Sequence, residues 1–167
     1  MILIAFGSNM PFWRRAPVEI VPAAIRALGG VAELEAVSSL YASPAWPDPA
    51  DPPFVNAAAA IRTDLPPEAL LSALHTIEAA FGRRRSVKNA PRTLDLDLLA
   101  YGDRVIGAAG GPGLILPHPA IAVRDFVLAP LCEIAPDWGH PQTGLTPGEM
   151  LAALAERTAT RLEGRGA

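Results

Sequence analysis

The sequence has little of several features that would point to common classes of protein. Its 167 residues include one cysteine, Cys132, so no internal disulfide can form, and no cysteine–histidine cluster has the spacing of a zinc site. No apolar run approaches the roughly 20 residues that span a membrane. The net charge of −3 argues against a general affinity for nucleic acid. Because no basic region precedes the first apolar residues, we expect no signal peptide and a cytoplasmic protein without a membrane or nucleic-acid partner.

The sequence also lacks the glycine-rich loop G-x-x-x-x-G-K-[ST] that cradles phosphates, and it lacks the loop signatures of protein kinases. If the protein binds a nucleotide, side chains must hold the phosphates. Lysine is nearly absent, since Lys88 is the only one and the other basic residues are arginines. The segment 82–92 alone carries Arg83, Arg84, Arg85, Lys88 and Arg92. The basic charge is therefore concentrated in one part of an otherwise acidic chain.

The apolar periodicity predicts alternating strands and helices within one domain, residues 1–167. Strands are expected over 2–6, 31–43, 54–63 and 94–101. Helices are expected over 17–28 and from a cap at Asp64 to a stop at Gly82. The order β-α-β-β-α-β is typical of the split βαβ arrangement of ferredoxin-like folds. We therefore predict an α+β fold in which two helices cover one face of a four-stranded antiparallel sheet, with a C-terminal extension that ends in a helix from 147 to about 162.

The most informative segment is the strand that begins at Leu94, because leucine and aspartate alternate along it. Residues two apart on a strand share a face, so Asp95 and Asp97 point to one side and the leucines to the other. The two carboxylates then lie about 7 Å apart, from a rise of about 3.3 Å per residue. Carboxylates that hold Mg²⁺ next to arginines that hold phosphate are the parts that phosphoryl transfer needs. The same pattern is also typical of an ordinary half-exposed strand beside a solvated arginine loop.

A second distinctive segment, residues 44–53, is rich in proline: Pro44, Pro47, Pro49, Pro52 and Pro53. This density excludes a regular helix or a central strand, so the segment is a stiff loop between two strands. It is either a plain surface connection or a pre-ordered loop whose backbone amides and carbonyls read a flat polar ligand. This loop and the arginine-rich segment both flank the strands of the candidate site.

Three functions compete on these observations. The first is a phosphoryl-transfer enzyme, the second is a ferredoxin-like module that binds a small molecule without turnover, and the third is an RNA-binding domain. A binding module has no need for two strand carboxylates that face an arginine loop. An RNA-binding sheet would need exposed aromatic residues and a basic face. The fold alone does not decide between them.

The segment Pro91–Leu98, which reads P-R-T-L-D-L-D-L, resembles the signature of the 6-hydroxymethyl-7,8-dihydropterin pyrophosphokinase family. Further matches to the family follow in the same order over about residues 1–158. They include A-F-G-S-N at 5–9, F-V-N-A-A at 54–58, P-H-P at 117–119, R-D-F at 124–126 and P-L-C-E-I-A-P at 130–136. The family is a group of folate-pathway enzymes, and the resemblance also agrees with the predicted fold.

The resemblance implies transfer of pyrophosphate from ATP to the hydroxymethyl group of the pterin, with release of AMP. Two Mg²⁺ ions, held by Asp95 and Asp97, would bridge the triphosphate, and Arg83 and Arg92 would join them in catalysis. The pterin would be bound by Ser43, Pro44, Trp46, Phe54, Asn56 and Phe126. The ATP would be bound by His75, Glu78, Arg85, Lys88, Arg92, His118 and Arg124. The partners would be these small molecules alone, bound by a monomer.

The arginine-rich loop departs from the family pattern, since it is one residue shorter than in some members and Ala90 replaces a glycine. Family members commonly carry an Arg-Trp pair in the arginine-rich loop, whereas this chain has Lys88 and Asn89 there. Asn89 is not an aromatic lid, so we expect a different closure over the site, with Trp46 of the proline loop as the apolar cover.

Overall fold

The computed structural model describes residues 1–45, 49–83, 91–107 and 113–166. Residues 164–166 are described by their backbone alone. Four residues of the sequence-based predictions, Trp46, Arg85, Lys88 and Asn89, lie outside these ranges. The strands are β1 (Ile2–Ser8), β2 (Glu33–Val37), β3 (Ser39–Ser43), β4 (Phe54–Arg62), β5 (Asp95–Tyr101) and β6 (Thr160–Gly166). The helices are α1 (Pro17–Leu28), α2 (Pro67–Ala80), α3 (Asp125–Ile134) and α4 (Pro147–Ala152), and a 3₁₀ turn spans Ile121–Val123.

The strands form one antiparallel sheet in the order β5-β1-β4-β3-β6, and β2 also pairs with β4. The predicted antiparallel sheet is thus confirmed, but it has six strands instead of the predicted four, because the segment over 31–43 forms two strands and the C-terminal segment adds β6. The single strand predicted over 31–43 is divided at Ser38, whose hydroxyl accepts a hydrogen bond from the backbone amide of Ala58. A side chain replaces a backbone carbonyl at this point, so the regular ladder is interrupted and two strands result.

Each face of the sheet packs against its own pair of helices. On one face, Phe6 and Leu96 pack in a core with Leu70 and Leu74 of α2 and with residues of α1. On the other face, Leu3 packs with residues of α3 and α4. Leu94, Leu96 and Leu98 all belong to the first core, which confirms the predicted division of the leucine–aspartate strand into an apolar and an acidic side. The aspartates therefore face the α3 side of the sheet.

Two predicted helix boundaries are wrong. Asp64 does not cap α2, which begins at Pro67 after an N-cap at Pro66. Proline suits the first helical position because its missing N–H would have had no partner there. The predicted final helix ends at Ala152 instead of about 162, and the chain then returns to the sheet as β6. The backbone amides of Thr158 and Ala159 bind the carboxylate of Asp125, so they are not available to a continuing helix.

Helix α3 was not predicted. Its apolar residues at 127, 128, 131 and 134 follow helical spacing, but Pro130 lies within the run and suggests a break. Among the residues that the structure describes, no helix is both long and apolar enough to cross a membrane.

Candidate active site

Charged and aromatic side chains line a cavity of about 600 Å³ on the side of the sheet that carries α3. Strands β1 and β5 form its base, where Ala5 pairs with Asp97 and Gly7 pairs with Asp95. Eleven of the residues that the sequence singled out line this one cavity: Ser43, Pro44, Phe54, Asn56, Arg83, Arg92, Asp95, Asp97, His118, Arg124 and Phe126. Residues from positions 43 to 126 of the chain are thus brought together around the two carboxylates.

Arginines surround the paired carboxylates. Arg92 Nη1 lies 2.5 Å from Asp95 Oδ2, and Arg83 Nη2 lies 3.4 Å from Asp95 Oδ1. Arg124 Nη1 lies 3.5 Å from Asp97 Oδ2. The side chains of these arginines are at most 33% exposed. Solvent and salt therefore screen their charges less than those of fully exposed residues. Such a cluster of planar donors is well suited to a polyphosphate.

The surroundings of Asp97 oppose its ionisation. Burial raises the pKa of Asp97, the neighbouring Asp95 carboxylate raises it further, and the opposite effects of His118 and Arg124 do not cancel the increase. Burial also lowers the pKa of His118, although Asp97 acts in the other direction. Because His118 Nδ1 accepts a hydrogen bond from the backbone amide of Ala120, the neutral ring carries its proton on Nε2. His118 can therefore donate to an anionic ligand.

The described residues contain no group of three or more histidine, cysteine or acidic side chains that could enclose a metal ion. Mg²⁺ rarely needs such a group, because it is commonly held by one or two carboxylates together with substrate phosphates and water. Asp95 and Asp97 provide two carboxylates on one face of β5, beside arginines that can hold those phosphates. The residues present therefore fit Mg²⁺ that arrives with a nucleotide.

Two aromatic rings and a buried asparagine also line this cavity. Phe54 and Phe126 both line it, and each has an arginine near its ring: Arg92 is 5.9 Å from the Phe54 centroid, and Arg124 is 5.9 Å from the Phe126 centroid. Asn56 is buried, and its amide nitrogen donates to Ser43 Oγ at 3.0 Å. This bond orients the amide within a cavity wall that combines aromatic rings with polar groups.

Of the remaining predicted residues, His75 lines an adjoining cavity of about 270 Å³ that also contains Asp95, Asp97 and His118. Glu78 is not among the described residues that line either cavity. It is 1% exposed, and its carboxylate accepts a hydrogen bond at 2.9 Å from the backbone amide of Leu96, the residue between the two aspartates. The structure therefore places Glu78 behind the carboxylates, where it contacts the backbone of β5.

Two residues that the sequence analysis named only within the A-F-G-S-N match, Ser8 and Asn9, connect the loops of the site. Asn9 is 2% exposed, its side-chain oxygen accepts from the Arg92 amide at 2.8 Å, and its side-chain nitrogen donates to the Pro52 carbonyl at 3.0 Å. Ser8 Oγ donates to the Thr93 carbonyl at 2.6 Å. The available signal was the asparagine directly after the buried strand β1, because a buried asparagine needs hydrogen-bond partners for both its side-chain oxygen and its side-chain nitrogen.

Comparison with known proteins agrees with this geometry. The family model described as 7,8-dihydro-6-hydroxymethylpterin-pyrophosphokinase (HPPK) matches residues 3–136. The chain is 42% identical over 166 residues to a 2-amino-4-hydroxy-6-hydroxymethyldihydropteridine pyrophosphokinase of Pseudomonas aeruginosa, covering 98% of this chain and 97% of that one. It is 37% identical over 161 residues to the protein of the same name from Haemophilus influenzae, covering 95% and 96%. A Synechocystis relative is 48% identical over 114 residues, which are 68% of this chain and 56% of the relative.

Among solved structures, wild-type HPPK-DHPS of Plasmodium falciparum superposes with a TM-score of 0.70 at 14% identity, over 90% of this chain and 43% of that one. This likeness defines the class of fold, a mixed arrangement of helices and antiparallel sheet shared with HPPK structures. The family match extends over most of the chain, and the relatives from Pseudomonas and Haemophilus are matched over nearly their whole length. The chain belongs to the 7,8-dihydro-6-hydroxymethylpterin-pyrophosphokinase family.

Proposed function

We propose that this protein transfers pyrophosphate from ATP to the hydroxymethyl group of 6-hydroxymethyl-7,8-dihydropterin in folate biosynthesis, with AMP as the second product. The observation that carries the proposal is the cavity in which Asp95 and Asp97 face Arg83, Arg92 and Arg124. Membership of the pyrophosphokinase family supports the same reaction. ATP is the co-substrate, and its triphosphate occupies the part of the cavity next to the aspartates.

We infer that Asp95 and Asp97 hold two Mg²⁺ ions together with the triphosphate. When bound, Mg²⁺ supplies positive charge that offsets the phosphate oxygens and lowers the pKa of the attacking hydroxyl. The protein's own contribution to the phosphates comes from arginines. Arg83 Nε is buried and has no hydrogen-bond partner within the described residues, which is costly unless a ligand supplies an acceptor. Arg83 therefore keeps a donor for a phosphate oxygen, while Arg92, Arg124 and His118 contribute further positive charge or donors.

The pterin lies between Phe54 and Phe126, whose rings stack on its flat faces. Asn56 and the backbone at Ser43 and Pro44 read the polar edge of the ring. A site lined by apolar rings with a few oriented polar groups is typical of small-molecule recognition. This arrangement holds the hydroxymethyl group close to the triphosphate, and such positioning can supply much of the rate in a reaction without a strong protein base.

We assign the core to the ferredoxin-like fold. The strand order supports this assignment, because β1 lies between β5 and β4, and β4 pairs on its other side with β2 and β3. The single domain over residues 1–167, the cytoplasmic location and the monomeric state stay predictions.

The experiment that tests the function measures AMP production from ATP and Mg²⁺, with and without 6-hydroxymethyl-7,8-dihydropterin. We expect AMP only when the pterin is present, and loss of AMP in Asp95→Asn and Asp97→Asn. Asp103→Asn is the control, because Asp103 is an exposed carboxylate that follows the same strand. Release of ADP, AMP formation without pterin, or full activity of both site variants at saturating Mg²⁺ would contradict the proposal.

A further inference from the structure

A buried carboxylate on α3 has no part in the chemistry proposed above. Asp125, the first residue of α3, is 8% exposed. Its Oδ2 accepts hydrogen bonds from the backbone amide of Thr158, from Thr158 Oγ1 at 3.1 Å and from the backbone amide of Ala159 at 2.8 Å. Three donors on one oxygen satisfy the need of a buried carboxylate for hydrogen-bond partners. Asp125 thus binds a segment that follows it by more than thirty residues.

The residues on both sides of Asp125 line the active-site cavity. Phe126 forms one aromatic wall, and Arg124 reaches Asp97. Arg124 occupies the N-cap position of α3, and within the described residues no side chain caps this helix start. The orientation of the first turn, and with it the direction of the Phe126 ring, therefore depends on other anchors. The Asp125 carboxylate is one such anchor, and it joins this turn to residues 158 and 159.

The segment bound by Asp125 continues directly into β6, which pairs with β3, a strand that contributes another part of the cavity lining. Thr160 and Arg161 of β6 pair with Ala42 and Tyr41 of β3, and the next residue of β3, Ser43, lines the cavity and accepts the hydrogen bond from Asn56. Residues 158–161 therefore bridge the start of α3 and the end of β3. This bridge lies beyond residues 3–136, the part of the chain that the family model matches.

We propose that Asp125 is a positioning residue for pterin binding: by holding residues 158–159 it fixes the distance between the Phe126 wall and the Ser43–Asn56 wall. The inference rests on the proposed function, because it assigns these walls to the pterin. Arg124 keeps its own ion pair with Asp97 and a backbone hydrogen bond to Ile121. Loss of the Asp125 carboxylate therefore affects the pterin more than the nucleotide.

Helix α3 offers a matched control at its other end. Glu133 accepts hydrogen bonds from the backbone amide of Ser39, from Ser39 Oγ and from the Tyr41 hydroxyl, at 2.9–3.1 Å. It therefore also ties α3 to β3 through a carboxylate with several donors. Neither Glu133 nor Ser39 is among the described residues that line the two cavities. A general loosening of α3 should appear in both variants, whereas a positioning effect should appear only at Asp125.

The test compares the wild type with Asp125→Ala, Asp125→Asn, Thr158→Val and Glu133→Ala. Steady-state kinetics give kcat and the KM for each substrate, titration calorimetry gives pterin affinity without turnover, and thermal unfolding reports stability. We expect Asp125→Ala to raise the pterin KM and Kd about 10-fold. This change is smaller than the roughly 100-fold loss of reaction rate that a 1 Å misplacement of reacting groups can cause. The KM for ATP should change less than about threefold, since the Arg124 contacts remain.

Asp125→Asn should recover part of the pterin affinity, because its amide oxygen can still accept hydrogen bonds, and Thr158→Val should show a smaller shift in the same direction. These two milder variants keep the test decisive if Asp125→Ala does not fold. Glu133→Ala should lower the melting temperature without changing the pterin KM. The inference is overturned if Asp125 variants lose stability with unchanged pterin affinity, or if Glu133→Ala weakens pterin binding as much. A wild type that neither binds pterin nor forms AMP would instead overturn the proposed function.

Discussion

Asn9 and Arg92 are joined by two hydrogen bonds. The Asn9 side-chain oxygen accepts from the backbone N–H of Arg92 at 2.8 Å, and the backbone carbonyl of Arg92 accepts from the backbone N–H of Asn9 at 3.1 Å. The same asparagine also donates to Pro52. The end of β1 thus holds both the proline loop and the segment that carries an active-site arginine. The orientation of Arg92 toward Asp95 depends on this contact between residues far apart in the chain.

Asn9→Ala should therefore impair both stability and catalysis. The substitution removes the hydrogen bonds that Asn9 makes with the Arg92 amide and the Pro52 carbonyl, and a typical hydrogen bond contributes about 0.5–1.5 kcal/mol to stability. We expect kcat/KM to fall about 10- to 100-fold because Arg92 is displaced. Urea unfolding and initial rates measure the two effects, with Gln142→Ala, at an exposed amide, as the control. An unchanged kcat/KM in a folded Asn9→Ala protein would show that the contact does not position the arginine.

The two site aspartates should differ in their effect on the metal-free protein. Burial and the charge of Asp95 both disfavour ionised Asp97, so Asp97→Asn should raise the melting temperature in EDTA. About 1 kcal/mol would appear as a shift of about 2–4 °C in a domain of this size. Asp95→Asn should give no such gain, because Arg92 and Arg83 both pair with Asp95. Differential scanning calorimetry with and without Mg²⁺ measures this, and equal shifts in both variants would contradict the assignment.

Arg92→Ala should reduce kcat/KM for ATP by on the order of 100-fold, as expected for a donor that stabilises charge in the transition state. Arg104→Ala is a matched control, since Arg104 also lies over an aromatic ring, 5.0 Å from the Tyr101 centroid, but is not among the described cavity-lining residues. The ratio of the two effects distinguishes a specific phosphate contact from general positive charge. Similar losses in both variants would favour general charge.

Glu78 should act through the position of the aspartates. Glu78→Ala removes the acceptor of the Leu96 amide, and an unpaired buried donor costs about 1–3 kcal/mol. We expect a lower kcat and a weaker response to Mg²⁺, because both carboxylates flank Leu96 on β5. Glu78→Gln keeps an acceptor oxygen, so it should recover much of the Mg²⁺ response, and a titration of rate against Mg²⁺ tests this. A change confined to the KM for ATP would instead favour direct contact with the nucleotide.

Glu133 should make stability depend on pH in the acid range. Burial raises the pKa of Glu133, but the hydrogen bonds from Ser39 and Tyr41 and the charge of Arg161 together outweigh this effect, so the pKa is lowered overall. A lowered pKa means that the ionised form stabilises the fold above the unfolded pKa of about 4.3 and that this stability is lost as the pH falls through the folded pKa. Glu133→Gln should therefore lower the free energy of unfolding by less than about 1 kcal/mol at pH 7. It should leave that free energy unchanged at pH values below the folded pKa of Glu133, where the carboxyl group is protonated. Urea unfolding at several pH values measures the difference, and a pH-independent difference would contradict it.

The sequence by itself determined the acidic strand and the elements around it. The alternation from Leu94 to Leu98 has a period of two, and burial of the leucines on one face left the aspartates on the other. The helical spacing of α1 was equally clear, and its bounds agree with the structure. Such local patterns are sufficient because the backbone geometry of a strand or helix fixes which neighbours share a face. The signature P-R-T-L-D-L-D-L likewise identified the family.

Only the tertiary structure decided how these elements complete the site. Asn9 meets Arg92 across 83 positions, Glu78 reaches Leu96 across 18, and Asp125 holds the chain at Thr158. The same distant contact explains why the residues after α4 form β6 instead of more helix: their amides bind Asp125, and their strand pairs with β3. Periodicity reports only on neighbours along the chain, whereas these hydrogen bonds depend on which segments the folded core brings together.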